Sequence, residues 1–229
     1  MIGVGCPEAN IPDMLTMCTP VSEPVCLPVH YTPTVVITGF GPFRDFANNP
    51  SSLVVDELEK EGIPGVDLKL HKLSVAYDEC TKTIPELWES HNPDLVIHIG
   101  AQDIDSNIRL EQQAFSNGYY HCDVNGCTPE SNTTGCCRAE NVLKTGIDCV
   151  ELAEKLKAEF GIDGTKYDGL DVVCSDDPGR YLCGFSYFIS LDKNSQKALF
   201  IHVPAITENR TEVDFAQIIR HVVKTILNL

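Results

Sequence analysis

Positive charge is scarce in this chain: 17 Lys and Arg stand against 33 Asp and Glu, a formal net charge of −16. No Lys/Arg cluster offsets that balance, which excludes a binder of phosphate backbones or anionic lipid surfaces. No apolar run approaches the roughly 20 residues that span a bilayer. The opening residues, MIGVGCPEANIPD, lack a basic stretch followed by a long apolar core, so no secretory leader is expected. Internal repeats and low-complexity tracts are absent too. Neither a G-x-G-x-x-G fingerprint nor a Lys-Ser/Thr nucleotide loop is present.

Cysteine, by contrast, is abundant. Eleven are found, at Cys6, Cys18, Cys26, Cys80, Cys122, Cys127, Cys136, Cys137, Cys149, Cys174 and Cys183. A disulfide scaffold is the class such a count suggests, but it serves chains too small to build a core. At 229 residues this chain is not one of them. Reduced thiols and a cytoplasmic location are therefore expected, and the sequons at Asn132 and Asn209 are read as chance matches. Cys122, Cys127 and the adjacent Cys136-Cys137 do not have the two-knuckle spacing of a zinc site. No metal is expected.

Composition fits one substantial core, with 43% hydrophobic and 22% charged residues. Residues 1–33 are rich in Pro and Cys and read as an irregular extension. Regular structure begins with a β-branched strand at Thr34–Thr38, then a loop with Gly39, Gly41 and Pro42. Asn49-Pro50 has the form of a helix cap followed by a first-turn proline, launching SSLVVDELEKEG. An alternating strand follows at 66–75. A helix over 77–89 is either kinked or restarted by Pro85, and a buried strand covers 94–100. The segment 101–145 shows little periodicity and reads as a long irregular, functional loop. Helix 149–160, strand 170–174, helix 180–191, strand 198–203 and helix 214–227 complete the chain. This order predicts an α/β fold: a single-domain, three-layer αβα sandwich over 34–229, with a twisted, largely parallel (mixed) sheet.

The stretch 175–204 concentrates the chemistry. An Asp-Asp-Pro-Gly turn at 176–179 leads into a helix with Cys183 near its start, and His202 ends the following strand. A helix N-terminus favours a thiolate, and a neighbouring imidazole activates it further. A buried cysteine and a hydrogen-bonded strand histidine fit the same residues. Phe40 and Phe43 in GFGPF, at the C-terminal end of a strand, suit either an apolar pocket for a small flat group or ordinary core packing. Asp103, Asp105, Glu111, Asp176 and Asp177 all lie near strand ends, where any could orient the histidine. His98 reads as a satisfied strand histidine, and His71 and His91 as peripheral.

Taken together, TGFGPF with its Asn-Pro, the HIG strand end with Glu111 eleven residues beyond Gly100, and GRYLC followed by IHVP resemble the pyroglutamyl-peptidase I family of cysteine peptidases. The resemblance runs from about Val35 to the last helix. It implies Cys183 as nucleophile, His202 as general base and acid, and Glu111 as the orienting carboxylate. Phe40 and Phe43 would flank the pyroglutamyl ring. It further implies hydrolysis of the amide after an N-terminal pyroglutamyl residue, pyroglutamyl peptides as substrates, no cofactor, and no particular oligomeric state. The chain departs from the family at Pro178, where alanine is common, and at Ala101, where bacterial members carry glutamine. The alternative is a non-peptidase α/β protein that holds a small heterocycle in the GFGPF pocket.

Overall fold

The computed structural model describes residues 1, 3, 31–43, 48–136, 140–165 and 167–229. The irregular extension expected over 1–33 lies almost wholly outside them, as does Cys137. The chain divides after Tyr31, and Thr32–Leu229 is the unit described below.

Thr34–Phe40 forms β1, buried from Val35 onward. Asn49 then caps α1, Pro50–Glu61, its side chain accepting the Ser51 N–H at 3.1 Å. Gly62, at φ 63°, ends that helix by donating its N–H to Leu58 O, a conformation glycine adopts without a Cβ penalty. Next come β2 (Asp67–Leu73), α2 (Tyr77–His91) and β3 (Leu95–Ala101). Pro85 lies inside α2, which is one element and not two.

The expected irregular loop 101–145 contains three short strands: β4 (Ile108–Glu111), β5 (Gln113–Phe115) and β6 (Val142–Lys144). The rest follows the predicted order. It comprises α3 (Cys149–Phe160), β7 (Val172–Ser175), α4 (Leu182–Asn194), β8 (Ala198–Val203) and α5 (Glu212–Leu227). A reciprocal cap between Thr211 and Asp214 starts α5.

Six strands make the central sheet in the order β2-β1-β3-β8-β4-β7. β2, β1, β3 and β8 are mutually parallel. β4 pairs antiparallel with β8 and parallel with β7, so the sheet is mixed. One face, carrying Val35, Ile37, Ile97, Ile108, Leu110 and Ile201, packs on α1, α3 and α5. The opposite face meets α2 and α4 around Phe40, Phe185 and Phe200. This is the three-layer α/β sandwich expected from the sequence. Because side chains alternate along a strand, that second face also carries Gly100, His202 and Glu111.

Candidate active site

His202 stands on β8 with its side chain toward α4. Its neighbours across the sheet are Gly100 on β3 and Arg109 on β4. Glu111, two residues along from Arg109, shares that face. The His202 Nδ1–H donates to Glu111 Oε1 at 2.8 Å, and both side chains are buried. The other carboxylate oxygen, Oε2, is buried with no hydrogen-bond partner among the described residues. Tyr187 of α4 donates its hydroxyl to Glu111 O at 2.8 Å, tying the helix to this strand end.

Cys183 arrives from above, in the first turn of α4. Asp177 accepts the Gly179 N–H at 3.0 Å and pairs with Arg180, closing the turn that precedes the helix. Gly179 sits at φ 79°. Its carbonyl packs so tightly on Gly184 that a Cβ at Gly184 would collide with it. Glycine after Cys183 is thus what lets the turn fold back on the helix start. No side-chain cap satisfies that first turn among the described residues, so its N–H groups are available to a developing negative charge.

The thiol and the imidazole are in contact. With Nδ1 taken by Glu111, the hydrogen bond to Cys183 falls to Nε2. Burial by itself pushes the His202 imidazolium toward losing its proton. The charge and hydrogen bond of the Cys183 sulfur, followed by those of Glu111, outweigh burial and raise its pKa to about 9. A protonated imidazole is what this arrangement favours. His98 shows the contrasting case: burial lowers it to about 3, and Thr38 Oγ1 lies 2.7 Å from its Nδ1. Other thiols are pushed up by burial, Cys149 to about 12 and Cys80 further, which leaves them protonated.

Beside Cys183 opens a cavity of about 300 Å³. Phe40, Phe43, Val75 and Tyr181 supply its apolar walls, with Asn49, Gln102 and Asp103 as polar members. The rings of Phe43 and Tyr181 are 5.2 Å apart and tilted by 35°. Ser51 Oγ accepts the Phe40 N–H at 2.9 Å, and Asn49 Nδ2 donates to Gly41 O at 2.9 Å, so the glycine-rich loop is fastened to α1. A flat ring with one donor and one acceptor edge matches such a slot.

A family model described as "Putative pyroglutamyl peptidase PgaPase_1" matches residues 14–207. Pyroglutamyl-peptidase 1 of Rattus norvegicus and that of Homo sapiens are each 32% identical to it over 198 residues, covering 85% of this chain and 90% of theirs. The chain belongs to the pyroglutamyl peptidase family. The fold agrees: the crystal structure of the pyrrolidone carboxyl peptidase from Fervidobacterium islandicum AW-1 superposes with a TM-score of 0.73 at 24% identity. That alignment covers 85% of this chain and 98% of the bacterial one.

Within this family member, Cys183, His202, Glu111, Phe40 and Phe43, singled out in the sequence, lie around one site. Glu111 occupies the end of a central strand, not the irregular polar segment expected for it. Of the other carboxylates considered, Asp103 lines the pocket, while Asp105 pairs with Arg109, Asp177 with Arg180, and Asp176 accepts from Gln112 at 3.0 Å. Sequence reasoning missed Tyr181 and Gln102 in the pocket wall. Tyr181 lies two residues before Cys183, and an aromatic at a helix cap was the available signal. Among the described residues no His, Cys, Asp or Glu group is placed to hold a metal ion. Nor is any described helix long and apolar enough to cross a membrane.

Gly100 forms the floor under Cys183. A Cβ there would stand 3.0 Å from Cys183 Sγ and 2.7 Å from a ring carbon of the buried Phe200. Gly100→Ala is therefore expected to displace the thiol and lower kcat/KM about 10- to 100-fold, since small misplacements at a reacting atom are costly. Turnover and a thermal melt measured side by side check this; unchanged turnover would show that the thiol does not rest on this residue.

Proposed function

We propose that this chain removes an N-terminal pyroglutamyl residue from peptides, with Cys183, His202 and Glu111 as its catalytic residues. The observation that carries the reading is the buried Glu111–His202 pair in contact with Cys183 at the mouth of an aromatic-walled slot. Family membership agrees with it.

Cys183 Sγ, as thiolate, attacks the carbonyl carbon of the pyroglutamyl residue. The N–H groups of the first turn of α4 face the oxygen that becomes negative. As the carbon–nitrogen bond breaks, His202 passes its Nε2 proton to the leaving amine and a thioester remains. His202, now neutral, takes a proton from water; the hydroxide so formed attacks the thioester, and free pyroglutamate leaves with the thiol restored. Glu111 holds Nδ1–H throughout, keeping Nε2 aimed at the sulfur. Phe40, Phe43 and Tyr181 grip the ring faces. Residues 34–229 form the peptidase domain in this reading, residues 1–33 an extension, and the protein works in the cytoplasm with its thiols reduced.

The test is hydrolysis of pyroglutamyl-aminomethylcoumarin beside the prolyl analogue, with reduced enzyme. The expected outcome is release of coumarin from the pyroglutamyl compound and little from the prolyl one, whose ring lacks the carbonyl. Equal hydrolysis of both, or none of the first, would remove the substrate assignment.

A further inference from the structure

One amide builds the rim above His202. Gln102 directly follows β3, lines the pocket and is 7% exposed. Its Oε1 accepts the N–H of Ile104 at 2.7 Å and of Asp105 at 3.3 Å. Its Nε2 lies 3.0 Å from Asp105 O, 3.1 Å from Asp105 Oδ1 and 3.0 Å from Asn107 O. The backbone N–H of Gln102 donates to Val203 O at 3.0 Å, one residue past His202. Residues 103–107 are thus wrapped around a single side chain whose polar atoms are all engaged. Such an amide fixes backbone, because leaving its buried partners unpaired is costly.

The far end of this loop reaches the catalytic pair. Asp105, held by Gln102, also binds the guanidinium of Arg109. Burial works to raise the Asp105 carboxyl, but the Asn107 N–H, Arg109 and Gln102 outweigh it and hold it below its ordinary range. Arg109 is the cross-strand partner of His202, so the two side chains stand on the same face as neighbours. The imidazole therefore has Gly100 on one flank and Arg109 on the other. Arg109 Nε is buried with no hydrogen-bond partner among the described residues, which leaves the ion pair to Asp105 to set the guanidinium.

We propose that Gln102 is a positioning residue for His202, acting through Asp105 and Arg109 to hold the rim over the imidazole. It carries no proton and makes no bond to the reacting atoms. The inference rests on the peptidase reading of the same site.

Gln102→Met keeps side-chain length and removes the hydrogen bonds of the side-chain amide, leaving the backbone bond to Val203. The expected result is a kcat lower by about 10- to 100-fold with KM changed less than about threefold. The alkaline fall of activity, near pH 9 in the parent, should move to lower pH. Arg109→Met should lower kcat likewise, but it takes a cation from beside the imidazolium, so its alkaline limb should move to higher pH. The kcat of the double variant should be no worse than that of the poorer single one, because both cut one chain of contacts. The pH profile of iodoacetamide alkylation at Cys183 is read in parallel and needs no turnover. If the parent fails on pyroglutamyl substrate yet both variants shift that profile, the brace stands and the substrate assignment falls. A kcat within about twofold of the parent, a rise in KM alone, or fully additive losses would overturn the proposal. Should Gln102→Met not fold, Arg109→Met decides: its side chain is partly exposed, and an unchanged kcat and alkylation profile there would overturn it equally.

Discussion

Cys183→Ser is expected to fold normally and to hydrolyse pyroglutamyl substrate about ten-thousand-fold more slowly or worse. The reason lies in the pair and not in the size of the atom. His202 is held as an imidazolium by two negative partners, the Cys183 sulfur and the Glu111 carboxylate. A serine hydroxyl does not ionise near neutral pH, so it removes one partner and offers a poor nucleophile in the same place. His202→Ala should fall nearly as far, because among the described residues no other imidazole is placed at the thiol to return a proton to the leaving amine. The two losses should not add, since each disables the same unit. Steady-state kinetics with circular dichroism as folding control make the measurement. A folded Cys183→Ser or His202→Ala variant within about tenfold of the parent would end the mechanism.

For Glu111→Gln the expected loss is about 100-fold or more in kcat, with a change in pH dependence that the thiol variant cannot show. A glutamine amide can present its N–H groups to Nδ1 and so stabilise the wrong tautomer, with Nε2 protonated and unable to accept. The direction with pH follows from the raised pKa of His202. The imidazolium, and the stabilisation it brings the fold, is fully present below its ordinary value of 6.5 and is lost as pH rises through about 9. Activity that depends on this proton should fall along the same limb. Removing the Glu111 charge takes away part of what raises the pKa, so the limb should move to lower pH in Glu111→Gln. A pH series of kcat/KM for both proteins checks it. Normal turnover with an unmoved limb would transfer the orienting role to another group, although Asp105 and Asp177 are committed to arginines.

Much of this site could be read from residue types and their order. Thr34–Phe40 and Leu95–Ala101 are largely apolar, buried strands whose ends are marked by glycine, and the structure places both where they were expected. Asn49-Pro50 announced a helix start that is there. The Asp-Asp-Pro-Gly turn, Cys183 and His202 follow in an order that a strand, a helix and a strand can bring together. β4 was not legible, because four residues with arginine and glutamate on one face give too short a hydrophobic pattern. The alternation of Ile108 and Leu110 with those two charges was the available sign. Its charged face lies in the interior because Glu111 has His202 and Arg109 has Asp105, tertiary partners no local pattern reveals. Tyr181 and Gln102 escaped for the same reason: their roles depend on what stands across the cavity.

His202 and Glu111 sit on adjacent strands whose pairing is locked in register, Arg109 against His202 and Glu111 against Phe200. A shift by one residue would turn either side chain to the opposite face, so the register itself fixes their separation. The chain then leaves the site at Glu111 and returns to this sheet only at Val172. α3 and Tyr119 in that span pack in the core, but its exposed loops can change length without altering the register that sets carboxylate against imidazole. The cysteine-rich stretch around 122–137 falls in that span. A recognition loop inserted in that exposed stretch would leave the register of Glu111 and His202 unchanged.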